Sequence, residues 1–402
     1  MSEPESAWSL TARFIFPVDA PPLENGIVVI EGDRLLAIEP KNSRKADVDL
    51  GNVAIIPGLV NAHTHLDLSG LRGKIAFTGS FTDWLRAVIQ HRRIMTGEDI
   101  QRAIQAGIKE CLRMGTTLVG DISGIGLSWD APNAASLRAL IFYELLGLTK
   151  ERASQAWAEA QTWLAAHPAT PNCRPGLSPH APYSVRASLF DSAAHQSLPV
   201  SIHLAETGDE IRLLRDHDGP FREFLSDLGV WDKEGLTKGI AEIIQTNSQV
   251  KNLLLVHANY LDARTDLPPG ATIVYCPRTH AYFGHALHPF QELMARGVRV
   301  ALGTDSLASN PDLDVLAEAR FLSQRHPDVP GHSLLRMATI NGATALGWDD
   351  ETGSLTPGKS ADLAVVRLPA VDQTDPYALL LEGTGAVKAV LFQGEWIEGH
   401  LR

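Results

Sequence analysis

Two histidines one residue apart, His63 and His65, follow the apolar run VAIIPGLV. Side chains two apart on a strand project to the same side, so both imidazoles can reach one metal ion. Alone, an H-x-H is a weak signal. It gains weight because other apolar runs finish in the same residue types: His180, His203 with Glu206, His257 and Asp305. One histidine ending an apolar strand is more often structural than a ligand. Five of them with carboxylates are hard to obtain from packing, because burying unpaired polar groups is costly without a metal or a dense hydrogen-bond network. The pattern reads as a metal-dependent hydrolase.

Those residues need a scaffold that brings strand ends together. After the first strand, apolar runs recur at 116–122, 138–147, 173–182, 199–206, 252–260, 271–277 and 299–306. Helical patterns such as FTDWLRAVIQHRR, EDIQRAIQAGIKECLRMG and ERASQAWAEAQTWLAAH lie between them. Eight strands alternating with helices predict an α/β fold, a (β/α)8 TIM-type barrel whose chemistry sits at the C-terminal strand ends. A doubly wound open sheet is the runner-up, but no Gly-rich phosphate fingerprint recommends it. Residues 1–56 and 351–402 have a different texture, with short β-branched runs punctuated by Gly, Pro and Asp. They predict a small β-sandwich built from both termini around a barrel at 57–350; two unrelated terminal hairpins are the alternative.

The chain has 402 residues, 44% hydrophobic and 20% charged, as expected of a globular protein with a large core. A formal net charge of -12 argues against a nucleic-acid or anionic-membrane surface. Cys111, Cys173 and Cys276 lie far apart, with no C-x-x-C, which suits a reducing compartment. MSEPESAWSL has no signal-peptide pattern and no apolar run reaches membrane-spanning length, so the expected location is the cytoplasm.

PGLVNAHTHLDLSGL, SPHAPYSV, HLAET, VHANY, GTDSLASN and GSLTPGKSADLAVV resemble the amidohydrolase superfamily. Within it they resemble the cytosine deaminase and S-adenosylhomocysteine deaminase-like branch. The match runs from about residue 50 to 370 with the motifs in family order. The resemblance implies the barrel, the composite sandwich and one divalent metal. By position, His63, His65, His203 and Asp305 match the metal ligands, while His257 and Glu206 match the residues that orient water and shuttle protons. Three imidazoles and a carboxylate suit Zn²⁺, with Fe²⁺ in the same preference range. A metal-activated hydroxide would attack an amidine-like carbon while Glu206 protonates the adjacent ring nitrogen, Asp305 accepts the water's proton and ammonia leaves. Binuclear relatives use a lysine near the end of strand four; CRPGLSPHAP has none, and Lys150 opens a helix, which favours a single metal.

HLDLSGL followed by GSFTDWLRAVIQHRR looks like the aminofutalosine deaminases of menaquinone biosynthesis. That makes 6-amino-6-deoxyfutalosine the substrate to test first. Phe81 and Trp84 would cover the purine or ribose, or serve as ordinary core of an amphipathic helix. His180 matches a family position that contacts substrate; Ser178 and Tyr183 beside it are compatible with loop structure alone. Many relatives read C-P-x-S-N after strand seven, whereas this chain reads Cys276-Pro277-Arg278-Thr279-His280. Arg278, His280 and His285 are expected either to bind an acidic tail of the substrate or to be plain loop residues, and Cys276 to pack as a small apolar residue. Alternative substrates are S-adenosylhomocysteine, methylthioadenosine, a guanine-type aminopurine or a chlorinated triazine. A non-catalytic scaffold of the same fold is the alternative from another class. The expected partner is a small molecule, and a homodimer is compatible with the family's habits.

Overall fold

Eight of the apolar runs form parallel strands in the computed structural model, which describes residues 7–371 and 374–399. They are β1 (Leu59–Thr64), β2 (Thr116–Ser123), β3 (Arg138–Leu145), β4 (Cys173–Pro179), β5 (Val200–Leu204), β6 (Leu253–His257), β7 (Ala271–Tyr275) and β8 (Arg299–Leu302). Their order in the sheet is their order in the chain. A parallel bridge between Thr64 and Asp305 closes the ring, so the architecture is the expected (β/α)8 barrel and not an open doubly wound sheet.

These strands are apolar on both faces because both faces are covered. A period of two divides their side chains into layers. Val60, Leu140, Phe142, Leu254, Val256 and Val274 fill the interior in one cluster with Cys276, which therefore packs as a small apolar residue. Ala139, Ile141, Leu253, Leu255 and Ile273 point the other way, into the cluster shared with the helices. The helices start where the sequence provides caps. Ser80 accepts the N–H of Asp83 before Phe81–Ile94, and Thr96 with Asp99 makes a reciprocal capping box before Gly97–Arg113.

Strands from the two ends of the chain share one sheet. In it, Phe14–Ile15 and Val53–Pro57 lie beside Leu363–Arg367 and Val387–Phe392. A second sheet, containing Trp8–Thr11 and Ile27–Glu31, packs its face against it: Leu10, Val28 and Ile30 share a core with Ile55, Val365 and Leu391. This is the composite sandwich, not two separate hairpins. Arg138, which opens β3, anchors the barrel to it through buried bonds to Asp362 and Ser360.

One segment differs from expectation. Residues 277–283, read from sequence as part of a loop, form a helix with Pro277 at its start and Gly284 in the left-handed conformation at its end. Residues 1–6, where the absence of a leader was read, lie outside the described residues, as do 400–402. Among the described residues no helix is long and apolar enough to cross a membrane.

Candidate metal centre and active site

His63 is the next-to-last residue of β1 and His65 lies one residue beyond the strand's end. On β5, the outward placement of Ile202 and Leu204 turns His203 inward. The three imidazoles meet: the ring centroids of His63 lie 5.0 Å from His65 and 4.8 Å from His203. His65 Nε2 and His203 Nε2 are 3.3 Å apart, and Asp305 Oδ1 is 3.6 Å from the Nε2 atoms of both His63 and His65. Asp305 reaches the cluster with a left-handed backbone, φ 58. Ser309 Oγ donates to its other oxygen, Oδ2, at 2.8 Å, which leaves Oδ1 aimed at the histidines.

The donor set fits a divalent cation. His203 Nδ1–H donates to the carbonyl of His180 at 2.9 Å, which fixes the tautomer and turns the Nε2 lone pair towards His65. Both ring nitrogens of His63 are buried with no hydrogen-bond partner among the described residues. Burial, reinforced by neighbouring imidazoles, drives His63 and His65 well below the usual histidine value. Burial and His180 push His203 down to about 4. Neutral imidazoles with converging lone pairs repel one another unless a cation lies between them, and metal ligation requires that protonation state. Ligand atoms of His63, His65 and His203 lie within 4.8 Å of one another, as do those of His63, His257 and Asp305.

His257 and Glu206 stand beside this set. Strand alternation would send His257 outward, but left-handed backbone at His257 and Ala258, φ 66 and 54, turns the chain. The His257 ring ends 5.7 Å from His63 and 5.4 Å from His203, and its Nε2 is 3.4 Å from Glu206 Oε1. His288 Nε2–H donates to the His257 carbonyl at 2.7 Å and holds this turn. Glu210 supports the Glu206 loop: its carboxylate accepts the backbone N–H groups of Ala205 at 2.8 Å and Glu206 at 3.0 Å. Burial, then Asp305 and Glu210, push the Glu206 carboxyl well above the usual range.

His180 follows the end of β4, its ring centroid 4.7 Å from that of His203. Phe81 and Trp84 are buried in an aromatic cluster with Phe283, at 5.1 and 5.0 Å. That cluster also contains Leu68, Ala181 and Tyr183, which places it next to the chain segments carrying His65 and His180. Tyr183 stacks on Phe221 at 4.1 Å, and Ser178 is fully buried. Lys150 is exposed at the start of Lys150–Ala166.

Arg278 is not available for an acidic tail. Its Nε donates to Glu318 at 2.7 Å, and its two terminal nitrogens donate to Asp312 at 3.1 and 2.6 Å. Glu318 is fully buried, so the guanidinium is held in a structural ion pair. His280 Nε2–H donates to the Ala286 carbonyl at 2.7 Å. With His285, His288, Tyr275 and Arg325 it lines a side cavity of about 260 Å³ behind His257.

Four residues beside the site escaped the sequence reading: Glu210, Ser309, and the ion pair of Arg92 with Glu144, whose Oε1 lies 3.9 Å from His180 Nε2. Glu144 is a polar residue ending an apolar strand, so the rule that found His180 would have found it too. Arg92, Glu210 and Ser309 act through contacts that no local pattern encodes.

The amidohydrolase family model matches residues 54–397. The 5-methylthioadenosine/S-adenosylhomocysteine deaminase of Moorella thermoacetica is 30% identical over 88% of this chain and 84% of its own length. The aminofutalosine deaminase of Helicobacter pylori, solved with methylthio-coformycin, has a TM-score of 0.82 at 23% identity, covering 97% of this chain and 100% of that one. An adenosine deaminase from Xanthomonas campestris with bound zinc has a TM-score of 0.79 at 24% identity, covering 98% and 93%. Because the family model spans the barrel and the C-terminal sandwich strands alike, the chain belongs to the amidohydrolase family and is, like its members, a metal-dependent enzyme.

Proposed function

We propose that this enzyme hydrolytically deaminates an adenine-type nucleoside, exchanging the exocyclic amine for oxygen and releasing ammonia. The observation that carries the reading is the pairing of Glu206 with His257 at 3.4 Å, beside the converging donors of His63, His65, His203 and Asp305. The deaminase name of the relative from Moorella thermoacetica supports it.

His63, His65, His203 and Asp305 would hold the metal, Zn²⁺ by the preference of such a donor set. Once bound, it supplies Lewis acidity that brings the pKa of water to ~7. Glu206, kept protonated by its burial, donates to the ring nitrogen next to the amine-bearing carbon. His257, neutral because burial holds its value down, hydrogen-bonds the incoming oxygen. Asp305 takes the proton that the incoming water gives up and passes it to the departing amine, and Glu206 recovers its own from the new hydroxyl as ammonia leaves. The apolar cluster around Phe81 and Trp84 limits water beside the ring.

Among nucleosides, 6-amino-6-deoxyfutalosine is the first candidate, which would give the enzyme a cytoplasmic role in menaquinone synthesis. The F-x-x-W-L block of Phe81, Trp84 and Leu85 supports this choice, and His280 and His285 remain as contacts for an acidic tail now that Arg278 is committed elsewhere. The test is ammonia release by zinc-loaded protein from aminofutalosine, adenosine, methylthioadenosine, S-adenosylhomocysteine and guanine. Preference for aminofutalosine supports the finer assignment. Preference for another adenosine keeps the chemistry and replaces the pathway. No ammonia from any compound overturns the deaminase reading, and chloride release from a triazine would supplant it.

A further inference from the structure

Glu144 ends β3 on the side that faces the barrel interior. Leu140 and Phe142 point inward on that strand, so Glu144, two residues on, does as well. On the adjacent β4, Leu177 points outward, which sends Ser178 and then His180 inward. The two side chains come together, with His180 Nε2 and Glu144 Oε1 3.9 Å apart.

Glu144 is only 8% exposed. Its Oε2 accepts from Arg92 Nη1 at 3.3 Å, while Arg92 Nη2 donates to Asp67 Oδ2 at 2.6 Å. One guanidinium therefore serves two carboxylates. It fixes Glu144 and leaves Oε1 free.

One bonding pattern satisfies Ser184 and His180 together: Ser184 Oγ gives its one hydrogen to the Ala181 carbonyl at 3.1 Å and accepts from His180 Nδ1–H at 2.8 Å. In that tautomer His180 Nε2 is left with a lone pair. Two acceptors thus face each other, too far apart to bond, and among the described residues neither has a donor. Glu144 is buried and the His180 side chain partly exposed, so a ligand that brings donors would satisfy both acceptors. An acidic group placed here would meet lone pairs and an excess of negative charge. Two adjacent hydroxyls would each donate to one acceptor.

We infer that Glu144 and His180 form a hydroxyl-recognising subsite that takes the vicinal diol of the substrate's sugar and rejects an acidic group at that position. The inference rests on the nucleoside reading above. It makes Glu144 a specificity-determining residue and Arg92 the residue that positions it.

The experiment compares adenosine with 2′-deoxyadenosine and 3′-deoxyadenosine on zinc-loaded wild type, Glu144→Ala and Glu144→Gln. It reads both kcat/KM and calorimetric Kd. Wild type should favour adenosine by about tenfold or more, the worth of one hydrogen bond to a charged acceptor. Glu144→Ala should bring one of the two ratios, that of the hydroxyl Glu144 accepts, close to one, mainly through KM, and leave the other and the metal content unchanged. Glu144→Gln keeps the shape and one acceptor oxygen, so it should keep part of the preference; it also serves as the test if the alanine variant fails to fold. Two unchanged ratios in a folded, metal-replete variant overturn the subsite, as does a wild type that binds the three nucleosides equally or not at all. Nucleosides that bind without ammonia release would overturn the deaminase reading while leaving the binding ratio to decide this one.

Discussion

Asp305 donates its backbone N–H to the carbonyl of His63 at 3.1 Å, so the bond that closes the barrel also joins two of the proposed metal ligands. Thr64 Oγ1 adds a bond to the Asp305 carbonyl at 3.2 Å. The ligand set is thus preorganised by the same contacts that join β1 to β8.

Asp305→Ala leaves this backbone closure in place and removes only the carboxylate. The expected result is a folded protein without stoichiometric metal and without turnover, checked by elemental analysis of purified protein. Because a ligand that binds only the native state stabilises it, wild type should lose about 3 kcal/mol on chelation when free metal had exceeded its dissociation constant a hundredfold. Asp305→Ala should lose nothing further. A full metal complement in this variant would remove Asp305 from the ligand set.

Glu206→Gln separates proton transfer from metal binding. Glu206 contacts His257, and its loop is held by Glu210 through backbone N–H groups that the substitution does not touch. Metal content should match wild type, while kcat falls at least about 10²-fold, the lower range for a lost general acid. Substantial activity in this variant would move the proton donor elsewhere.

The barrel and its polar strand ends were legible because both obey short periods. Alternation fixes which residues of a strand face inward, and His63, His203 and His180 all announce themselves as polar groups at the ends of apolar runs. His257 shows the limit. Alternation alone points it outward, and only the left-handed turn at His257 and Ala258, braced by His288, brings it to the site. Arg278 stayed open between a substrate contact and a loop residue for a related reason: its partners Asp312 and Glu318 lie far along the chain, beyond any local pattern, on the segment that follows β8. Charge on a segment near a site carries no information about which way it points.

Arg278→Met tests the structural role of that guanidinium. Removing the guanidinium strands the fully buried carboxylate of Glu318, and breaking one partner of a buried pair costs about 3–5 kcal/mol. Urea denaturation should show that loss, with KM for the preferred nucleoside little changed in the folded fraction. A raised KM at unaltered stability would instead restore Arg278 as a substrate contact.

Glu210 makes a prediction about pH. Its carboxyl is buried beneath the Glu206 loop, and burial outweighs its two backbone hydrogen bonds to push it up to about 7. In the unfolded chain the same group titrates near ~4.3. The native state therefore holds a proton that the unfolded state has released across this window. Stability from that proton is complete below the unfolded value and is lost as pH rises through about 7. Glu210→Gln cannot titrate, so the advantage of wild type over this variant should shrink by roughly 2–4 kcal/mol between pH 4 and pH 8. Taking the difference between the two proteins removes the pH dependence of metal binding that they share. A difference that is flat or grows with pH would mean that Glu210 is ionised in the native state and that its hydrogen bonds to Ala205 and Glu206, not burial, set its charge.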